Sequence, residues 1–304
     1  MNKSKSCMLS GISGLSVNEC IRKIQQIEIK TKKLSTGPYA GKHLSIFSGR
    51  GIDFTDIREY VPGDDVRSID WKTTARFQTP YLRLFSEDRD QTFYLLIDRS
   101  GSQIFGREKS KDEKMLEISA SIIFSSEAHR DATGLCMFTE TVEKFIPAGK
   151  GRNHSVNLLN AIIKHNPEYP GTDIAQALRY MYNTLKRRSV IIVISDFEGD
   201  NFEKELSILS KKHEVYSLTI SDMREEILPD IGLIRLQDSE TGEIVIADTS
   251  DPVFCRNYSE IVLKENQEKE KILRRCNVKT LFIKTEEECE SKSRYFFSGK
   301  GEVC

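Results

Sequence analysis

The 304 residues, 38% of them hydrophobic, suffice for one large buried core with a smaller module beside it. The 45 Lys and Arg residues nearly balance 46 Asp and Glu, and the formal charge of -1 excludes a global field directed at nucleic acid or an anionic membrane. The seven cysteines are odd in number and never in CxxC spacing, so neither a zinc site nor a disulfide framework is expected, and free thiols fit a reducing cytoplasm.

In chain order, MNKSKSCMLSGISGLS lacks the apolar core of a signal peptide. Apolar runs such as VIIVI at 190–194 fall far short of the roughly 20 residues of a membrane helix, so no membrane insertion is expected. Residues 1–36 read as an N-terminal amphipathic helix region: Val17, Ile21, Ile24, Ile27 and Leu34 recur at helical spacing behind a Ser16/Glu19 capping pair. Residues 37–90, rich in Gly, Asp and Arg, carry one strand-like run, YLRLF at 81–85.

From 91 to 225 strand and helix patterns alternate. Phe93 to Ile97 is followed by a helix near 109–129, then GLCMF (134–138), VEKFI (142–146) and helices near 153–164 and 173–186. VIIVIS (190–195), a helix near 201–211 and EVYSLTI (214–220) complete this stretch. Such alternation predicts an α/β fold with a mostly parallel sheet and helices on both faces. Residues 226–304 add a hairpin in IRLQDSETGEIVIAD (234–248), a polar helix over about 255–275 and a last strand, VKTLFIK (278–284), expected to rejoin the sheet.

Two of the apolar strands end in aspartate. FYLLIDRSGS carries Asp98 at its strand end, then Ser100 and Ser102 around Gly101, and VIIVISD ends in Asp196. In parallel α/β sheets ligands bind beyond the carboxyl ends of strands. Neighbouring strands lie about 4.8 Å apart, so two such carboxylates on adjacent strands can address one ion. Carboxylates with hydroxyls form an all-oxygen donor set, which suits Mg2+, Mn2+ or Ca2+ rather than zinc. PGTDIAQAL (170–178) offers Thr172 just ahead of a helix.

Plainer readings exist for each residue: Thr172 as an N-cap, Ser100 and Ser102 as caps of the next helix, Asp196 as the holder of a turn at 197–199. Arg99 adds another, because its guanidinium can pair with a carboxylate and compete with an ion. The five histidines (His43, His129, His154, His165, His213) show no ligand spacing, and His154 and His213 are given no catalytic role. With no Walker lysine motif, HExxH or GxSxG either, no catalytic residue is nominated.

DRSGS, GTD and ISD, in this order, resemble the metal-ion-dependent adhesion site (MIDAS) of von Willebrand A domains. The resemblance implies that Asp98, Ser100, Ser102, Thr172 and Asp196 surround a divalent cation, Mg2+ first and Mn2+ or Ca2+ next. GRGIDFTDIREYVPGDDVRSIDWKTTAR (49–76) resembles the signature of the bacterial DUF58 family, which couples it to a von Willebrand A-like domain. LPDIGLIRLQDSETGE (228–243) resembles that family too, so the likeness spans about 45–298.

It implies a von Willebrand A-like, Rossmann-like fold over 91–225, completed by 226–304, with 37–90 forming part of a smaller accessory module. It also implies a short cytosolic form, lacking the N-terminal membrane helices of many relatives. The function implied is a metal-dependent protein–protein interaction module, an adaptor for a MoxR-type AAA+ ATPase or its client in chaperone-like assembly or maturation. The competing class is a metal-dependent hydrolase or phosphoesterase using the same carboxylates. Within 49–76, Asp53, Asp56, Glu59, Asp64, Asp65 and Asp70 face a similar number of Arg and Lys residues. The segment reads either as a salt-bridged motif anchored by Trp71 or as a docking surface in which Gly63-Asp64-Asp65 presents two carboxylates.

Overall fold

Three apolar runs, TFYLLID, ATGLCMF and VIIVI, become neighbouring strands of one six-stranded sheet. The computed structural model describes residues 22, 25, 54–61, 64–66, 69–77, 79–85, 91–100, 111–169, 171–197, 201–222, 225, 228–237, 244–285 and 287. Its elements begin with β1 (Phe54–Glu59), α1 (Trp71–Phe77), β2 (Tyr81–Phe85), β3 (Thr92–Asp98), α2 (Lys111–Ala128), β4 (Ala132–Phe138), β5 (Val142–Gly149) and α3 (Arg152–Lys164). They continue with α4 (Ile174–Thr184), β6 (Val190–Ile194), α5 (Glu203–Lys212), β7 (Glu214–Ser221), β8 (Leu233–Gln237), β9 (Ile244–Asp248), α6 (Pro252–Arg275) and β10 (Lys279–Lys284). The helix expected over 16–36 lies outside the described residues, apart from Arg22 and Gln25, which are helical.

The sheet order is β10-β7-β6-β3-β4-β5, parallel throughout except for the antiparallel edge strand β5. It is the mixed α/β architecture expected, and VKTLFIK does return to the sheet, beside β7. The side-chain period of a strand is two, so a strand covered on both faces must be apolar at every position. In β3, Phe93, Leu95 and Ile97 enter one core with Met115, Ile118 and Ile123 of α2 and Leu158 and Ile162 of α3. Tyr94 and Leu96 enter the opposite core with Leu178 and Met181 of α4, Leu206 and Leu209 of α5 and Leu273 of α6. One glycine is required here: a Cβ on Gly134 would lie 2.3 Å from the Tyr94 ring, which crosses β4 so that its hydroxyl can accept from Ala148 N on β5.

Order and handedness together make a crevice. From β3 the chain moves through α2 to β4 on one side; β6 pairs on the other side of β3, and α5 leads from there to β7. Strand–helix–strand crossovers have a fixed hand, so opposite directions put α2 and α5 on opposite faces, and the carboxyl ends of β3 and β6 lie at the switch between them.

Two further pairs stand apart from this sheet. β1 and β2 form an antiparallel ribbon inside the 37–90 segment, and β8 and β9 form the predicted hairpin. Neither β1 nor α1 was expected from the sequence. Trp71, read above as an apolar anchor, is 68% exposed at the start of α1, which buries no side chain of its own. The anchoring role is corrected accordingly: Asp70 is the buried residue here, accepting from Thr73 Oγ1 at 2.9 Å and from Lys72 N at 3.1 Å. No helix among the described residues is long and apolar enough to cross a membrane.

Leu95 is fully buried, and Leu95→Ala is expected to cost about 2–5 kcal/mol in denaturant unfolding, whereas exposed Lys264→Ala stays within about 0.5 kcal/mol. A second expectation concerns His213, whose Nδ1 accepts from Ser189 N at 3.3 Å. Burial first, then the charges of Lys212 and Arg188, push it down from 6.5 to about 4. Between those values the unfolded chain takes up a proton that the folded chain refuses, so stability falls as pH drops from about 6.5 to about 4. Urea titrations across that range should show a shallower slope for His213→Gln than for the natural protein.

Candidate functional site

β3 and β6 pair with Ile97 opposite Ile194, so the residues that follow, Asp98 and Ser195-Asp196, meet at one end of the sheet. Asp98 is wholly buried, and both of its carboxylate oxygens are engaged. Oδ1 accepts from Ser100 N at 2.9 Å, and Oδ2 accepts from the Ser195 hydroxyl at 2.7 Å. The Ser195 oxygen in turn accepts from Phe197 N at 3.1 Å, bracing the turn that carries Asp196. Phe197 has φ +53°, a left-handed backbone that aromatic residues seldom adopt, and its buried ring packs on Phe202 at 5.3 Å. Strain of this kind persists where the surroundings over-determine it, and it gathers at functional turns.

Electrostatics mark Asp98 further. Burial first, and then the charge of Asp196, push its carboxyl up to about 7, against the lowering effect of the hydrogen bonds from Ser100 and Ser195. Asp196 is itself nearly buried. Two carboxylates with little water around them are a poor arrangement for two negative charges alone.

The other sequence-derived residues fall as follows. Ser100 is fully buried beside Asp98, to whose Oδ1 its backbone N–H donates. Ser102 lies outside the described residues. Thr172 sits on the same rim one strand over: Asp98 lies opposite Phe138 of β4, Arg99 N donates to Phe138 O at 2.9 Å, and Asp173 N donates to Thr139 O at 2.9 Å. The N-cap of α4 is Asp173, which accepts from Gln176 N at 2.8 Å, so capping does not account for Thr172. Among the described residues no three His, Cys, Asp or Glu side chains gather as a metal cluster, and the candidate donors here are two carboxylates supplemented by hydroxyls.

Arg99 does not compete for the site's carboxylates. Its guanidinium turns to Asp112 of α2 at 2.7 Å, both side chains buried, with burial raising the Asp112 carboxyl and Arg99 opposing that shift. In the Gly63-Asp64-Asp65 segment, Asp64 accepts from Arg58 at 2.7 Å and from Val61 N at 2.9 Å.

Four residues around the rim escaped the sequence reading. Ser195 was legible only as the middle of ISD. Lys111, 3% exposed, lies 2.7 Å from Glu225 and 4.0 Å from Asp196 Oδ2. Glu143 of β5 accepts from Thr139 Oγ1 at 2.5 Å and from Glu168 N at 3.0 Å, with His165 Nε2 2.8 Å away, and so ties the segment leading to Thr172 onto the end of β4. Burial holds His165 below its ordinary range in spite of Glu143. No local motif announces these contacts, since each joins residues from different elements.

A family profile described as "Protein of unknown function DUF58" matches residues 56–268. An uncharacterized protein of Mycobacterium tuberculosis is 29% identical over 268 residues, 86% of this chain and 84% of that protein. An uncharacterized protein of Mycobacterium bovis matches over the same length at the same identity. Among solved structures, a conserved hypothetical protein BatB from Bacteroides thetaiotaomicron is similar at TM-score 0.45 and 14% identity, covering 68% of this chain and 96% of that one.

The buried Arg99–Asp112 pair is readily tested. Asp112→Ala strands the guanidinium among apolar groups and is expected to cost about 3–5 kcal/mol in urea unfolding, while an exposed pair such as Arg274 with Glu270 is worth under about 1 kcal/mol.

Proposed function

The chain belongs to the DUF58 family, and from that premise we propose that it is a divalent-cation-dependent protein-binding module with a site of the von Willebrand A type. Its partner is a MoxR-type AAA+ ATPase or the client of that ATPase, and its setting is the cytoplasm. One observation carries the metal reading. Asp98 is fully buried, and its acidity is suppressed to about 7 by burial and by the charge of Asp196, at the switch point of the sheet. A dication relieves both effects at once, because it returns Coulomb stabilisation to each carboxylate.

The donor chemistry fits. Asp98, Asp196 and the hydroxyls of Ser100, Ser102 and Thr172 are all hard oxygen ligands, the set that Mg2+ accepts and zinc does not. Asp98 and Asp196 would hold the ion as anionic anchors. Ser195 and the Ser100 amide keep the Asp98 carboxylate oriented, as outer partners orient metal ligands generally. Bound there, the ion supplies a Lewis-acidic position that a carboxylate of a partner protein can complete, which makes partner affinity depend on the cation. The turn at Phe197 is consistent with the same reading, since its left-handed backbone carries Asp196 to the rim.

The expected outcome is measurable by thermal denaturation. Mg2+ or Mn2+ at a hundred times its Kd stabilises by about 2.7 kcal/mol, and the rise in Tm disappears with EDTA. Asp98→Ala abolishes that rise while leaving the far-ultraviolet circular dichroism unchanged, and it abolishes cation-dependent retention of the ATPase. Melting of the natural protein that is indifferent to both cations at millimolar concentration would sink the reading.

A further inference from the structure

Among the described residues at this rim, Lys111 brings a buried positive charge close to Asp196, where it works against a dication. Its side chain is 3% exposed, its ammonium lies 2.7 Å from Glu225 Oε1, and it stands 4.0 Å from Asp196 Oδ2. The first contact is a charge-assisted hydrogen bond. The second is beyond hydrogen-bonding range and is purely electrostatic.

Glu225 is itself tethered. Its Oε2 accepts from Asp222 N at 3.3 Å, and its carbonyl accepts from the Tyr258 hydroxyl of α6 at 3.1 Å. Asp222 accepts from Thr285 Oγ1, just beyond β10, at 3.1 Å. Lys111 therefore joins the Asp98/Asp196 rim to a hydrogen-bonded assembly of the β7 end, α6 and the β10 end.

We propose that Lys111 is a resident counter-ion that sets the cation affinity of the Asp98/Asp196 site, with Glu225 holding the ammonium back from Asp196. This inference rests on the metal reading above and specifies its regulation. A single positive charge about 4 Å from Asp196, in a buried setting where screening is weak, supplies part of the compensation that a dication would otherwise provide, and it repels the dication directly. Because Glu225 draws the ammonium the other way, any event that loosens Glu225 moves positive charge toward Asp196 and weakens cation binding. Binding of the cation in turn favours the Lys111–Glu225 pair. The two events are linked reciprocally, as coupled equilibria must be.

The test is a double-mutant cycle read by Mn2+ binding, using calorimetry and the electron paramagnetic resonance of free Mn2+ on the full chain. Lys111→Met is expected to tighten Mn2+ by about tenfold or more, and Glu225→Gln to weaken it by a similar factor. In the Lys111→Met background Glu225→Gln should have little effect, because Glu225 acts through the ammonium. Should Lys111→Met fail to fold, Glu225→Gln against Glu225→Asp still reports the sign.

Mn2+ binding by the natural protein that Lys111→Met leaves unchanged or weakens would overturn this inference alone. Binding by neither the natural protein nor Lys111→Met overturns the metal reading and this inference with it. A Glu225→Gln effect that persists in full without Lys111 means that Glu225 acts independently, and it overturns the coupling.

Discussion

The parallel pairing of β3 with β6 sets Ile97 opposite Ile194, and by doing so brings the first residues past each strand to the same height on the rim of the sheet. From that register follow the Ser195–Asp98 hydrogen bond, the proximity of Asp196 and the orientation of the strained turn at Phe197. A slip of one residue would turn Leu95 and Ile192 from one core to the other and would separate the two aspartates. The cores on the two faces therefore hold the site's geometry, and they hold it firmly, because every residue from Phe93 to Asp98 is buried.

Charge burial follows a consistent logic around this rim. Arg99 is neutralised by Asp112 and Lys111 by Glu225, while the Glu143 carboxylate accepts from the Thr139 hydroxyl with His165 beside it. Asp98 differs from these. It is satisfied by neutral donors only, with a second carboxylate close enough to weaken it further as an acid. Burial and a second carboxylate together concentrate unfavourable electrostatics at Asp98. Perturbation of that kind is what functional sites commonly show.

Outside the main sheet, the β1–β2 ribbon and α1 give the family signature a physical form. The motif is stabilised by local contacts, Arg58 with Asp64 and Asp70 with Thr73, and it leaves Trp71 largely exposed. A tryptophan held outward by a small polar-capped helix is the reverse of the anchor its composition suggests, because burial is decided by what packs over a residue and not by its hydrophobicity.

The sequence by itself determined the alternation of strands and helices, the parallel character of the sheet and the two strand-ending aspartates. Each of these is written in local periodicity: VIIVI and FYLLI are apolar at every position because both of their faces are covered. The resemblance of GRGIDFTDIREYVPGDDVRSIDWKTTAR to its family was legible for the same reason, as a contiguous run. Only the tertiary structure decided that Asp173 and not Thr172 caps α4, that Arg99 pairs with Asp112, and that Lys111 and Glu225 stand at the edge of the site. Lys111 and Asp196 are far apart in the chain, and their approach depends on strand order and on how α2 packs against the sheet. Such contacts leave no periodic trace in the residues that make them, so they are visible only once the chain is folded.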